Sequence, residues 1–225
     1  MNPQITPIVR NLLFINIGVI LVEYLLNLDL ARGFGLYYFS SPFFQPYQLL
    51  TYFFLHADFG HLFGNMLSLF FFGPLLESYM GSKRFLNFYM ICGFGASALY
   101  ILVNFLEISN LETSIELFHA SNNQAALESA VYAYKLKLAT PLIGASGAVF
   151  GILMAFGMLF PNVELMLLIP PIPIKAKYFV ALYGAYEIYA EIWTKVGDNI
   201  AHTAHLGGML FAFILLKYWG YKAIR

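Results

Sequence analysis

Six stretches of mainly apolar residues, each close to the length of a bilayer-spanning helix, constrain this chain more than any other feature. The hydrocarbon core of a membrane is about 30 Å thick, so a helix rising 1.5 Å per residue needs roughly 20 such residues to cross it. The stretches fall at about residues 12–30, 61–79, 84–106, 146–160, 176–193 and 201–219. Of the 225 residues 60% are hydrophobic and only 11% charged, too few charges to cover a water-soluble globule. The expected fold is therefore an all-α membrane protein, a bundle of six transmembrane helices forming a single integral membrane domain over residues 1–225, with the lipid bilayer as its first partner.

The same numbers exclude several functions. Twelve Lys and Arg balance twelve Asp and Glu, so there is no net field to attract nucleic acid. Cys92 is the single cysteine, which removes any intrachain disulfide and any CxxC zinc or redox motif. The first apolar stretch runs on through Glu23 and Tyr24 without a small-residue cleavage site, so it is expected to persist as a helix rather than to be removed as a signal peptide.

Orientation follows from the cations. Arg10, Lys83, Arg84, Lys175, Lys177, Lys217, Lys222 and Arg225 fall on the side of the termini, and Arg32, Lys135, Lys137 and Lys195 fall opposite. The positive-inside bias puts both termini in the cytoplasm of a plasma (inner) membrane, with the even-numbered helices running inward from the outer face. Two connections are long. Residues 31–60 are rich in aromatics and proline, a composition suited to the membrane interface. Residues 107–140 carry Glu107, Glu112, Glu116 and Glu128 and are expected as a solvated outer loop with a short helix near 124–137.

The polar residues inside the apolar stretches are the chemical signal. The second opens with His61 and has Asn65 one turn later, the fourth opens with Gly144-Ala145-Ser146-Gly147, and the sixth has His202 and His205 near its start. Helices running in one direction bring their first turns to one depth, and a polar cluster within a bilayer points to function. Pro141 and Pro161 bracket a fourth helix too short to cross, so Ser146 is expected below the outer surface, facing a water-filled hollow. Unpaired N–H groups at that helix start, with the Asn65 amide, suit a developing oxyanion.

Gly147, Gly151 and Ala155 in the fourth stretch, and Ala204, Gly208 and Ala212 in the sixth, repeat every fourth residue, the spacing that lets membrane helices approach closely. Such an approach brings Ser146 to His205, an imidazole able to take the serine proton. Phe150 can stack on His205 or simply fill the core. Asp58 and Asp198 are the only aspartates near these helix starts and neither is spaced to reach His205, so a two-residue Ser–His arrangement is expected. His56 and His202 read as structural. Glu77 is expected to pair with Lys83 or Arg84, while Glu187 and Glu191 have no obvious place. Ser146 taken alone is more often a packing serine, and His61 with Asn65 is equally a hydrogen-bonded pair without chemistry.

Together, His61-Leu-Phe-Gly-Asn65, Gly144-Ala145-Ser146-Gly147 and Ala204-His205-Leu206-Gly207-Gly208 resemble the motifs of the rhomboid intramembrane serine proteases, in order and at the tops of the second, fourth and sixth helices. The resemblance implies Ser146 as nucleophile and His205 as general base. It makes His61, Asn65 and the Ser146 amide the oxyanion hole, supported by Gly144, Gly147, Phe150 and Gly208. It also implies single-span transmembrane proteins as substrates, entering near the second and fifth helices, a site opening to the outer face, and no cofactor or metal. Tyr47-Gln48 stands where many members carry Trp-Arg, and Ala212 where glycine is frequent.

Two other functions fit the residues without the resemblance. One is a metal or proton transporter built on His56, His61, His202, His205, Glu187 and Glu191, although its histidines crowd at one face rather than lining a path. The other is a non-catalytic binder of membrane helices, which has no need of Ser146.

Overall fold

The computed structural model describes residues 5–166, 171–193 and 201–224; Lys195, Asp198 and Arg225 lie outside the described residues. The chain is an all-α bundle. Helix α1 spans Pro7–Leu26, starting at a proline whose missing N–H costs nothing in a first turn and ending at Asn27 in the left-handed conformation. Helix α2 covers Leu30–Phe34 and α3 Gln48–Thr51, followed by a 3₁₀ turn at Tyr52–Phe54. The other helices are α4 (Phe59–Met80), α5 (Ser82–Ala120), α6 (Gln124–Ala139), α7 (Ser146–Leu159), α8 (Ala176–Trp193) and α9 (His202–Tyr218). An antiparallel ribbon of β1 (Glu164–Met166) and β2 (Pro173–Lys175) lies between α7 and α8. Helices α1, α4 and α5 are long and apolar enough to cross a membrane.

Helix α7 is the hub. Its side chains are buried almost all round, with Ser146, Met154 and Met158 its only half-buried positions. A helix apolar on every face needs neighbours on every face, and α4, α5, α8 and α9 supply them. Glycines set how close those neighbours come. A Cβ on Gly151 would sit 2.6 Å from the Cβ of Cys92 in α5, and one on Gly208 in α9 would overlap the carbonyl of Gly147. The fourth-residue stripes therefore meet different partners: Gly147 and Gly151 face α5 as well as α9, while Gly208 lies against the α7 backbone.

Residues 107–120 depart from the expected loop, while the short helix expected near 124–137 is present as α6. Helix α5 continues unbroken to Ala120, about 58 Å for 39 residues, roughly twice the hydrocarbon thickness. After a turn at Asn122 (φ 55°) the chain returns as α6, and Lys137 pairs with Glu107. The polar composition that reads as a loop belongs to a helical hairpin, whose small apolar seam buries Ile108 and Ala130.

Glu77 also departs from its expected pairing with Lys83 or Arg84. It is buried and accepts hydrogen bonds from the Ile8 amide (3.1 Å), the Val9 amide (3.0 Å) and the Ser82 hydroxyl (2.6 Å). The first amides of α1 have no acceptor within their own helix and form its positive end, so a carboxylate there satisfies donors that a surface lysine would not. Glu77→Ala strands those donors and should lower unfolding stability by about 3 kcal/mol, read as a fall in melting temperature in detergent. A shift smaller than one degree would show that water replaces the carboxylate without loss.

Candidate active site

The residues before α4 and before α7 determine where the polar groups meet. Asp58 caps α4 by accepting from the His61 amide at 2.8 Å, which fixes the turn carrying His61 and, one turn on, Asn65. The lead-in to α7 is an extended strand whose Leu142 exchanges two backbone hydrogen bonds with Leu36, at 2.9 and 2.8 Å. The Gly144 amide then donates to the Tyr52 carbonyl at 2.9 Å. Gly144 adopts φ 117°, which residues with a Cβ rarely enter, and a Cβ there would lie 2.9 Å from His61 Nε2. Glycine thus lets the segment leading into Ser146 and the His61 ring occupy one corner.

The segment of residues 31–60 is tied into this framework. Gln48 is fully buried. Its side chain donates to the carbonyls of Gly33 and Phe43 and accepts from the amides of Tyr37 and Gln45. The Tyr47 hydroxyl donates to the same Gly33 carbonyl at 3.1 Å. A neutral amide, acting as both donor and acceptor, satisfies this turn without burying a charge. A hollow of about 350 Å³ in this region is lined by Tyr37, Phe43, Pro141 and others.

Ser146 and His205 are 59 residues apart, and the Ser146 Oγ lies 2.9 Å from His205 Nε2. Phe150, one helical turn after the serine, stacks flat on the imidazole with centroids 4.0 Å apart and planes 8° from parallel. Tyr183 of α8 packs against Phe150 in turn, with ring centroids 4.9 Å apart. His205 is buried and Ser146 half-buried, so the pair is sheltered and the hydroxyl still open to one side.

His61 borders the same corner, and Asn65 follows it one turn later on α4. The Ala57 amide approaches His61 Nδ1 at 3.4 Å, which makes Nδ1 the acceptor and leaves Nε2 as the N–H donor, on the side of Gly144 and Ser146. Asn65 is buried, and among the described residues its Nδ2 has no acceptor. A buried donor without a partner among the described residues is costly. His56 packs edge-on against His61 at 5.0 Å; burial first and the neighbouring His61 among the rest hold its pKa down to about 4, so it stays neutral.

One carboxylate absent from the sequence-based site is present. Glu187 of α8, 2% exposed, accepts at Oε2 from His205 Nδ1 at 2.9 Å and from His202 Nδ1 at 2.6 Å. The expectation that no carboxylate reaches His205 is thereby corrected. The signal was available in α8: Val180, Gly184 and Glu187 share one helical face, and that face is the buried one. Glu187, His202 and His205 present ligand atoms within 4.8 Å of one another, the donor set of a small divalent metal site.

A family model for the Rhomboid domain matches residues 44–222. The chain is 28% identical to Rhomboid protein 1, mitochondrial, of Saccharomyces cerevisiae, over 76% of this chain and 41% of that protein. It is 32% identical to RHOMBOID-like protein 1 of Arabidopsis thaliana, over 76% of this chain and 34% of that one. A Bacillus subtilis protein provisionally named rhomboid protease YdcA is 29% identical over 84% of this chain and 69% of its own length. The chain thus spans less than half the length of the first two of these relatives.

Proposed function

This chain belongs to the rhomboid family, and on that footing we propose that it is a serine endopeptidase of the membrane interior that cleaves single-span transmembrane proteins. The observation that carries the reading is the 2.9 Å contact between the Ser146 hydroxyl and His205 Nε2, inside a bundle of apolar helices.

Catalysis starts when the Ser146 Oγ attacks the scissile carbonyl carbon and its proton passes to His205 Nε2. The carbonyl oxygen becomes an oxyanion, which His61 Nε2–H, the Asn65 amide and the backbone N–H of Ser146 at the start of α7 meet with hydrogen bonds. Nε2 then gives its proton to the departing amine as the C–N bond breaks, leaving an ester on Ser146. Water attacks that ester, its proton going to the same nitrogen, and the acid product leaves with the serine hydroxyl restored. Burial strengthens each of these electrostatic contacts relative to water. The substrate helix enters laterally between α4 and α8 and unwinds at small or helix-weakening residues. In our reading both termini face the cytoplasm and the site opens to the outer face of a plasma membrane.

The direct test uses purified protein with a serine-directed fluorophosphonate and a panel of model single-span substrates, followed by fragment masses. Labelling at Ser146 and cleavage within or beside the span, both indifferent to EDTA, are the expected results. No labelling and no cleavage would favour a non-catalytic helix binder, and loss of activity with EDTA would favour a metal site.

Asn65→Ala tests the oxyanion assignment separately. Removing one such donor should slow turnover by about 10²- to 10³-fold while expression and melting temperature change little. An unfolded variant would instead make Asn65 a structural tie between helices.

A further inference from the structure

We propose that Glu187 is a third, positioning member of the site: its Oε2 holds the proton of His205 on Nδ1 and so keeps Nε2 free to act as the base. The assignment rests on the reading of Ser146 and His205 as nucleophile and base, and extends it from two residues to three.

A neutral imidazole carries one proton and can carry it on either nitrogen. Beside a serine hydroxyl alone, the ring has no reason to choose. With the proton on Nε2 the ring donates to Oγ and cannot accept from it, and the site is inert. An ionised carboxylate accepts hydrogen bonds and donates none. Placed 2.9 Å from Nδ1, it draws the proton to that nitrogen and turns the Nε2 lone pair toward Ser146 Oγ, also at 2.9 Å. Oγ, the ring and Oε2 form one relay across α7, α9 and α8.

The second effect appears during the reaction. When Nε2 takes the serine proton, His205 becomes a cation among apolar side chains, where an isolated charge is strongly disfavoured. Glu187, itself 2% exposed, supplies the opposite charge at hydrogen-bond distance, without water having to enter. The ring is also held in its plane by Phe150 stacked on one face. The carboxylate oxygen is anchored in turn, because His202, one turn before His205 on α9, donates Nδ1–H to the same Oε2 at 2.6 Å. A carboxylate buried within an apolar bundle is costly, and this one has both its donors on the helix that carries the base.

The experiment compares wild type, Glu187→Gln and Glu187→Asp in detergent, measuring kcat, KM, fluorophosphonate labelling rate and melting temperature. Side-chain ¹⁵N spectra of histidine-labelled wild type identify the tautomer of His205. Glu187→Gln should lower kcat and labelling rate by about 10³- to 10⁴-fold with KM nearly unchanged, the loss seen when a triad carboxylate becomes an amide. Glu187→Asp, which retains the charge on a shorter arm, should recover part of that loss. The wild-type spectrum should show His205 protonated on Nδ1 and bare on Nε2.

A folded Glu187→Gln variant within about threefold of wild type overturns the proposal. So does an Nε2–H tautomer in the wild type, which decides the matter even if every Glu187 variant fails to fold. One zinc ion per purified chain bound to Nδ1 would overturn it as well, since a metal there forces the proton onto Nε2. A wild type that neither labels nor cleaves would instead remove the peptidase reading itself, whatever the tautomer.

Discussion

Ser146→Ala and His205→Ala should each bring cleavage of a single-span substrate below detection, a loss of at least about 10⁴-fold, with little change in melting temperature. In the proposed reaction, removing the serine deletes the atom that bonds to the substrate, and removing the histidine leaves Oγ with its proton. Their effects are not additive: the double variant should be no slower than either single one, because the two groups act as a unit. Ser146 makes one side-chain hydrogen bond among the described residues, to His205, and is half-buried, so its loss removes little that stabilises the fold. His205→Ala also empties the space under Phe150 and is expected to cost somewhat more stability. The measurement is the mass of substrate fragments after long incubation, alongside thermal unfolding. Residual turnover within about tenfold of wild type in Ser146→Ala would mean that another nucleophile does the chemistry.

Gly208→Ala is expected to be the most damaging single methyl group in the molecule. Its Cβ would overlap the carbonyl of Gly147, and backbone, unlike a side-chain tip, has no rotamer by which to move aside. Helices α7 and α9 must separate, at a cost of about 3 kcal/mol, the upper part of the ordinary overpacking range. The same separation moves His205 away from Ser146, and a misplacement of about 1 Å costs on the order of 10²-fold in rate. Gly64→Ala is the control: on α4, with nothing within 4 Å of its added Cβ, it should leave both stability and rate unchanged. The check is melting temperature and turnover for both variants. A Gly208→Ala protein as stable and as fast as Gly64→Ala would show that the close approach has no bearing on the site.

How much was legible beforehand depended on the range over which each residue acts. Apolar runs of bilayer length and motifs at helix starts are local signals, and they pointed to the all-α bundle and to His61, Asn65, Ser146 and His205 as one group. The close approach of those helices could also be anticipated, because small residues at every fourth position state which face is thin. What escaped were features that depend on how one helix is rotated against another. Glu187 reaches His205 only because the buried face of α8 turns toward α9, and no spacing between positions 187 and 205 reveals that. Glu77 was hidden similarly, since its donors lie in α1, about 70 residues earlier, where a sequence offers only nearby lysine and arginine as partners. Residues 107–120 failed for another reason. Their polarity describes the surroundings of the helix, not its backbone, and a helix that leaves the membrane continues when a second one covers it.

The paired hydrogen bonds between Leu36 and Leu142, with that from Gly144 to Tyr52, weld the lobe of residues 31–60 to the segment that leads into Ser146. Such a lobe cannot hinge upward as a door without tearing its own seam and dragging the serine out of register. On the proposed function, this lobe is then a fixed edge, and an opening for a substrate helix is expected on the side of α8 instead.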